Sequence, residues 1–297
     1  MRRQITFQRN CNTTPRWQDY ITKVHDALVA IGCEYIPIAG DLDLASALPP
    51  SNDSFARGGR LYSVGTPSLP LYLRWTPTVT RASDVPTMGS VETGFSYNPT
   101  TGALTGNRSA GLWSSGSGMA QPTDGDARTY LCKGDGYVQV LHNISEQTRN
   151  NAELVTLESP ITETGNSARG VLLGHYYAVG ANMILQQAVP RVGSVPTHYG
   201  GPDLNSARPP NAADTYTPWD WTWNGNTEKV FVPSPPLPFF GQLGVSRVQH
   251  LPIVKAVAEA VCNVGVNNVP HMFGGDRGPL WSDSSMGMAI RWEGPDA

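Results

Sequence analysis

Residues 130–143 read YLCKGDGYVQVLHN. Two runs of strand-favouring residues, Tyr130–Lys133 and Tyr137–Asn143, flank Gly134-Asp135-Gly136. Gly and Asp accept the backbone angles of a tight hairpin, so this stretch predicts two antiparallel strands. Two more runs extend the pattern, Glu153–Glu158 and Gly170–Val179, each after a turn-type cluster (Arg149-Asn150-Asn151 and Thr164-Gly165-Asn166). The four candidates predict an antiparallel meander at the centre of the core.

Upstream, Leu69, Leu71, Leu73 and Trp75 alternate with Pro70, Tyr72 and Arg74, the period of a strand buried on one face. Pro70 makes this an edge strand or makes Leu71 its start. Val91–Tyr97 is a second strand candidate, followed by the turn Asn98-Pro99-Thr100-Thr101-Gly102 and the segment Ala103–Thr105. Residues 106–127 are rich in Gly and Ser and read as a long exposed loop. Nearer the start, Trp17, Tyr20, Ile21, Val24, Leu28 and Ile31 recur at three- and four-residue spacing, the stripe of one amphipathic helix. Thr14 is its expected N-cap, Pro15 its first helical residue, Asp19 favours the positive end of its dipole, and Gly32 follows as C′. Two large aromatics on one stripe require a surface to cover, a sheet face or a sheet edge.

Downstream, Pro190, Pro196, Pro202, Pro209, Pro210 and Pro218 interrupt residues 190–227, a stretch without periodicity. Strand-like segments return at Lys229–Val232, Phe239–Val245, Ile253–Val261 and Met288–Trp292; the third has helical propensity but is short and lies between Pro252 and Gly265, which favours a strand. The expected fold is therefore mainly β: an antiparallel β-sandwich with one N-terminal amphipathic helix and long Pro/Gly-rich loops. Its expected parts are residues 1–188 as helix plus sandwich core, 189–227 as an extended crossing, and 228–297 as a C-terminal β-block that completes the first sheet or stands as its own module.

Composition narrows the function. Charged residues are 15% of the 297, against roughly 25% in an average soluble domain. The chain holds 31 Gly and 25 Pro, a mixture suited to short strands and many turns. A net charge of −3 with scattered Lys and Arg argues against nucleic acid as the main partner. Arg2-Arg3 reads as a solvated terminus. Cys11, Cys33, Cys132 and Cys262 are far apart, as are His25, His142, His175, His198, His250 and His271, so neither a zinc pair nor a disulfide framework is expected. Reduced thiols and a soluble protein, without a membrane span or signal segment, are the expectation.

No catalytic, cofactor-binding or metal-binding residue is expected. Gly116-Ser117-Gly118 lacks the spacing of a nucleophile elbow. Glu92, Glu146, Glu153, Glu158 and Glu163 read as ordinary exposed strand residues rather than a hydrolytic pair. Gly200-Gly201 and Gly274-Gly275 lack the lysine of a phosphate loop, and Asp41-Leu42-Asp43 and Asp124-Gly125-Asp126 read as surface turns rather than calcium loops. The most informative cluster is Trp219, Trp221 and Trp223, with Tyr216 beside it. Spaced by two, the three indoles share one face of an extended segment. They are candidates for burial in their own core, for a subunit interface, or for stacking on sugar rings.

The chain resembles a group of tailed-bacteriophage virion structural proteins of the tail or neck. The resemblance rests on TPRWQDYITKVHDALVAIGCEY (14–35), LPLYLRWTPTV (69–79) with TTGALTG (100–106), GDGYVQVLHNIS (134–145) with ELVTLESPIT (153–162), and the closing SSMGMAIRWE (284–293). It is a layout spread over most of the chain, and residues 106–127 and 216–227 depart from it. It implies a non-enzymatic subunit of the virion, assembled in the host cytoplasm, that forms a symmetric ring or appendage attachment with copies of itself and other tail, neck or head proteins. Alternatives are a receptor-binding tail module that grips a host glycan, and a capsid decoration protein.

Overall fold

The computed structural model describes residues 1–50, 56–80, 84–105, 108–111, 125–144, 153–159, 161–162, 171–177, 182–188, 238–239, 244–245, 252–253, 261–264, 269–274 and 287–297. The first part holds β1 (Arg2–Gln8), α1 (Thr14–Ala30), β2 (Glu34–Ile36), β3 (Arg60–Ser63), β4 (Tyr72–Thr80), β5 (Val85–Gly94), β6 (Ser96–Tyr97), β7 (Leu104–Thr105) and β8 (Arg108–Gly111). Then come β9 (Asp126–Gly134), β10 (Tyr137–Ile144), β11 (Glu153–Glu158), β12 (Ile161–Thr162), β13 (Val171–Tyr177) and β14 (Asn182–Ala188). The last are β15 (Pro238–Phe239), β16 (Gly244–Val245), β17 (Pro252–Ile253), β18 (Val261–Val264), β19 (Val269–Gly274) and β20 (Gly287–Arg291). Strands pair antiparallel throughout the sheets, and α1 is the one helix among the described residues.

The meander is present, in the order β9-β10-β11-β13-β14, with β1 added outside β9 to make six strands. Gly136 turns the first hairpin at φ 72°, and Val140 lies between Leu131 and Val155. Every residue from Tyr137 to His142 is buried, so β10 is covered on both faces. One face meets α1 and the second sheet. On the other, Gln139 Oε1 accepts the Arg291 N–H at 2.9 Å, and Tyr137 donates to Glu293 Oε1 at 2.6 Å. The C-terminal strand thus lies against the meander. That strand belongs to its own four-stranded sheet, β17-β20-β19-β18, while β12 joins β16 and β15 in a three-stranded one.

The second large sheet runs β2-β3-β4-β5-β8. Leu71, Leu73 and Trp75 are buried and alternate with half-buried Tyr72, Arg74 and Thr76, as their spacing predicts, with β4 opening at Tyr72 after Pro70. Its second half holds a feature the alternation concealed: register slips between Thr76 and Thr78, and Pro77 occupies the bulge, where no ladder N–H is needed. Opposite it, Gly89 sits at φ 69°, and a Cβ there would collide with Thr76 O and lie 2.8 Å from the Pro77 carbonyl carbon. The strand expected over Val91–Tyr97 is longer and ends at Gly94; Ser96-Tyr97 begins the small hairpin with Leu104-Thr105, whose turn is closed by Asn98 Oδ1 accepting from Thr100 N at 2.8 Å.

Helix α1 buries Trp17, Tyr20, Ile21, Val24, Ala27 and Leu28, the expected stripe. Its two ends differ from each other in how they are closed. At the C-terminus Gly32 takes φ 91°, its N–H reaches Val29 O, and the Cys33 N–H reaches Leu28 O, a Schellman closure. At the start, Thr13 rather than Thr14 is the N-cap and its hydroxyl makes no cap bond. Thr14 Oγ1 instead accepts the Leu48 N–H at 3.2 Å, because the 41–50 segment lies beside the first turn. Asp19 sits beyond that turn and pairs with Lys23 at 2.7 Å.

Several expectations are corrected. Arg2-Arg3 belongs to β1: Arg2 Nε bonds Asp296 at 2.7 Å, Arg3 bonds the Ala297 carbonyl, and the Met1 ammonium donates to Lys133 O at 2.7 Å. Residues 106–127 are not one loop, since 108–111 pair with β5 and 126–127 open β9. Strand β14 had no alternation to announce it. Within Phe239–Val245 the described residues are strand at Phe239 and at Gly244-Val245, and within Ile253–Val261 at Ile253 and Val261; residues 229–232, 240–243 and 254–260 lie outside the described residues.

The two glycines with positive φ make a paired test. Gly32→Ala meets no atom within 4 Å and should cost about 1 kcal/mol of conformational strain. Gly89→Ala adds a collision with β4 backbone and should cost about 3 kcal/mol or more. Urea unfolding of both variants measures the difference, and equal losses would contradict the bulge geometry.

Candidate functional site

Two polar clusters stand out among the described residues. The first is sealed. His142 on β10 is fully buried; its Nδ1 lies 2.7 Å from Thr129 Oγ1 on β9, and its Nε2 lies 3.3 Å from Pro86 O on β5. A carbonyl can only accept, so Nε2 carries the hydrogen and Nδ1 accepts from the threonine: a neutral imidazole. Tyr20 of α1 approaches Nε2 at 3.4 Å and donates its hydroxyl to Thr87 O at 2.9 Å, while Phe7 of β1 stacks on the imidazole at 5.5 Å. Burial pushes the His142 pKa down to about 4. Without solvent access this histidine is a structural joint between the helix and both large sheets.

The second cluster is partly exposed and gathers His25 (α1), Tyr35 (β2), Asp41, and Arg60 and Tyr62 (β3). His25 Nδ1 is 2.9 Å from the Tyr62 hydroxyl, and Arg60 Nη1 is 3.1 Å from each ring nitrogen of His25. Arg60 also donates to Leu42 O at 3.0 Å and stands over the Tyr35 ring at 4.7 Å. Tyr35 donates to Asp41, whose carboxylate also accepts the Ile38 N–H at 3.1 Å. Burial, then the Arg60 charge, lowers the His25 pKa; burial raises Tyr62 well above its ordinary value and, with the Asp41 bond, raises Tyr35. All three groups are therefore neutral near pH 7. The cluster fastens the 37–42 segment and β2–β3 onto the second half of α1, its side chains bonded to one another and to the backbone.

Other singled-out residues have plainer places. Cys11, Cys33 and Cys132 are buried, and burial pushes the Cys33 thiol up to about 12, which keeps it protonated. Asp43 Oδ1 accepts the Ala45 N–H at 2.9 Å, a local turn, and Asp126 accepts from Gln8 at 2.6 Å. Glu92 faces Arg74 across β4–β5 at 3.8 Å. Glu158 corrects an expectation: it is fully buried rather than on an exposed strand face. Among the described residues no group of three or more His, Cys, Asp or Glu could hold a metal ion, and no helix is long and apolar enough to cross a membrane. Tyr216, Trp219, Trp221 and Trp223 lie outside the described residues, as do Gly116-Ser117-Gly118, Gly200-Gly201, Asp124, Glu146 and Glu163.

Sequence reasoning passed over Arg9. It is 1% exposed, among the largest fully buried side chains of the chain. The signal was available in ITFQRNC (5–11), where Ile5, Phe7, Arg9 and Cys11 occupy alternate positions on the buried side of β1 and its continuation. No known protein family, curated protein or solved structure matches the chain.

The neutral His142 gives a pH signature. An unfolded histidine titrates near 6.5, so below that value the unfolded chain binds a proton that the folded chain refuses. Stability therefore falls as pH drops from about 6.5 towards 4, then levels off for this group. Between pH 7 and 4.5 the wild type should lose about 2–3 kcal/mol more than His142→Gln, because His25 contributes in both proteins and cancels. Urea midpoints at the two pH values check this, and parallel losses would refute it.

Proposed function

We propose that this chain is a structural subunit of a tailed-bacteriophage virion, forming a symmetric ring or appendage attachment in the tail or neck by burying surface between copies and against neighbouring virion proteins. The observation that carries the reading is the placement of apolar surface in the sequence. A chain with only 15% charged residues puts Trp219, Trp221 and Trp223 at two-residue spacing inside a proline-interrupted stretch. Three indoles on one side are costly to leave in water, and repetition by symmetry multiplies a modest contact. The body around α1 needs no help from them: its stripe is sealed, and the exposed large hydrophobics among the described residues are Met1, Val29 and Val261. The layout shared with phage tail and neck proteins supports the same reading.

In finer terms, the six- and five-stranded sheets make the two faces of a β-sandwich over residues 1–188. On this proposal residues 189–227, which lie outside the described residues, are an extended crossing from that core to a C-terminal β-block over 228–297. The clusters at His142 and His25 hold the fold together, and the subunit performs no catalysis in this reading.

Two measurements test it. Mass spectrometry of purified virions should find the chain at a copy number near a dozen, and its absence from particles would sink the proposal. Recombinant protein should assemble above the monomer by light scattering, and Trp219→Ala/Trp221→Ala/Trp223→Ala should shift it towards monomer while the far-UV spectrum is retained. A compact wild-type monomer whose tryptophans are sealed from quenchers would point away from assembly.

A further inference from the structure

The buried side of β1 faces α1, since Phe7 lies 4.9 Å from the Tyr20 ring. The helix runs back over the strand, and Arg16 Nη1 donates to Asn10 O at 3.0 Å, tying the helix start to the end of β1. A strand advances about 3.3 Å per residue and a helix about 1.5 Å. Two residues beyond Phe7 therefore correspond to about four residues before Tyr20, which sets Arg9, on the buried side of the strand, level with the opening turns of α1.

That end of the helix is electrically incomplete. Thr13 supplies no side-chain cap and the first turn contains no acidic residue. The positive end of the dipole is thus unanswered by any carboxylate of the helix's own first turn. Arg9 is buried to 99%, yet neither Nε nor Nη2 has an acceptor among the described residues. Burial lowers its pKa. An unpaired buried charge costs more than almost any other defect in a fold, and a guanidinium fork beside helix N–H groups matches an oxyanion in both charge and geometry.

We propose that Arg9 and the N-terminus of α1 form a binding site for a single oxyanion, a phosphate or a carboxylate, which supplies the acceptors that the described residues lack there. The site is independent of the virion reading and would persist in a monomer.

The test uses the full chain and inorganic phosphate, with chloride controls at matched ionic strength and pH. The wild-type melting temperature should rise by about 3 °C for each tenfold increase in phosphate beyond half-saturation. Arg9→Met, which keeps the bulk and removes the charge, should melt higher than wild type without phosphate and show no rise with it. If the natural oxyanion is a carboxylate from a second copy, wild type without phosphate will also melt higher as protein concentration increases, and Arg9→Met will not. An Arg9→Met protein that is less stable than wild type in phosphate-free buffer, with no phosphate response in either, would overturn the site, because the guanidinium would then be satisfied within the chain. Should Arg9→Met fail to fold, Arg9→Lys keeps the charge without the fork; its phosphate midpoint should weaken about tenfold, and an unchanged midpoint would equally overturn the proposal.

Discussion

Tyr20 puts one hydroxyl and one ring where three elements meet. Its hydroxyl donates to Thr87 O of the five-stranded sheet and lies beside His142 of the six-stranded one. Its ring packs against Phe7, Trp17 and Trp75 at centroid separations of 4.9, 6.1 and 6.5 Å. Because the site is dry, the hydrogen bonds must all be made at once or each would leave an unsatisfied group. That requirement fixes the helix in rotation and in height. The stripe from Trp17 to Leu28 then has only one seating, and β1, which runs beneath it, is set with its buried side towards the helix. The half-exposed knot around His25 and Arg60 secures the other end of α1 to β2 and β3. Between them, these two clusters turn a low-charge amphipathic helix into a rigid joint between the sheets.

What could be read from the sequence follows from how local each signal is. The hairpin at Gly134–Gly136 and the strand Glu153–Glu158 were legible because turn residues and strand formers alternate within a few positions. The α1 stripe was legible for the same reason. Strand β1 was not, since its partner lies more than a hundred residues away at Asp126–Cys132 and its polar outer face resembles a solvated terminus. The first half of β5 was missed because Pro86 and Gly89 look like breakers; both are tolerated where β4 bulges at Pro77. Thr14 was misread as the cap because capping depends on which hydroxyl is free, and Leu48 had already claimed this one.

The candidate site was less legible than the fold. Neither His142 nor His25 carries a motif, and their surroundings are assembled from four or five separate elements. A buried histidine in a strand is indistinguishable in sequence from an exposed one until the opposing face is known. His142 is covered by Phe7, Tyr20 and Pro86, from β1, α1 and β5, while residues 290–293, some 150 positions away, cover the other face of β10 at Tyr137 and Gln139. Long-range covering of this kind turns an expected one-sided strand into a central one, and it is invisible to any window of neighbouring residues.

A chain with few charges makes the placement of each informative. Arg2 meets Asp296, Arg291 meets Glu293, and Glu293 in turn accepts from Tyr137, so the beginning and the end of the described chain are held at one edge of the six-stranded sheet. The tail covers part of the open edge of β1, with Arg2 N–H to Pro295 O at 3.0 Å and Ala297 N–H to Arg2 O at 2.9 Å. Uncovered edges invite strand addition from other chains, and a covered one directs association elsewhere. Arg60 likewise has Leu42 O, His25 and the Tyr35 ring around it. Against that economy the buried Arg9 is the exception. Its Nε and Nη2 have no acceptor among the described residues, and that gap is the one the proposed oxyanion would fill.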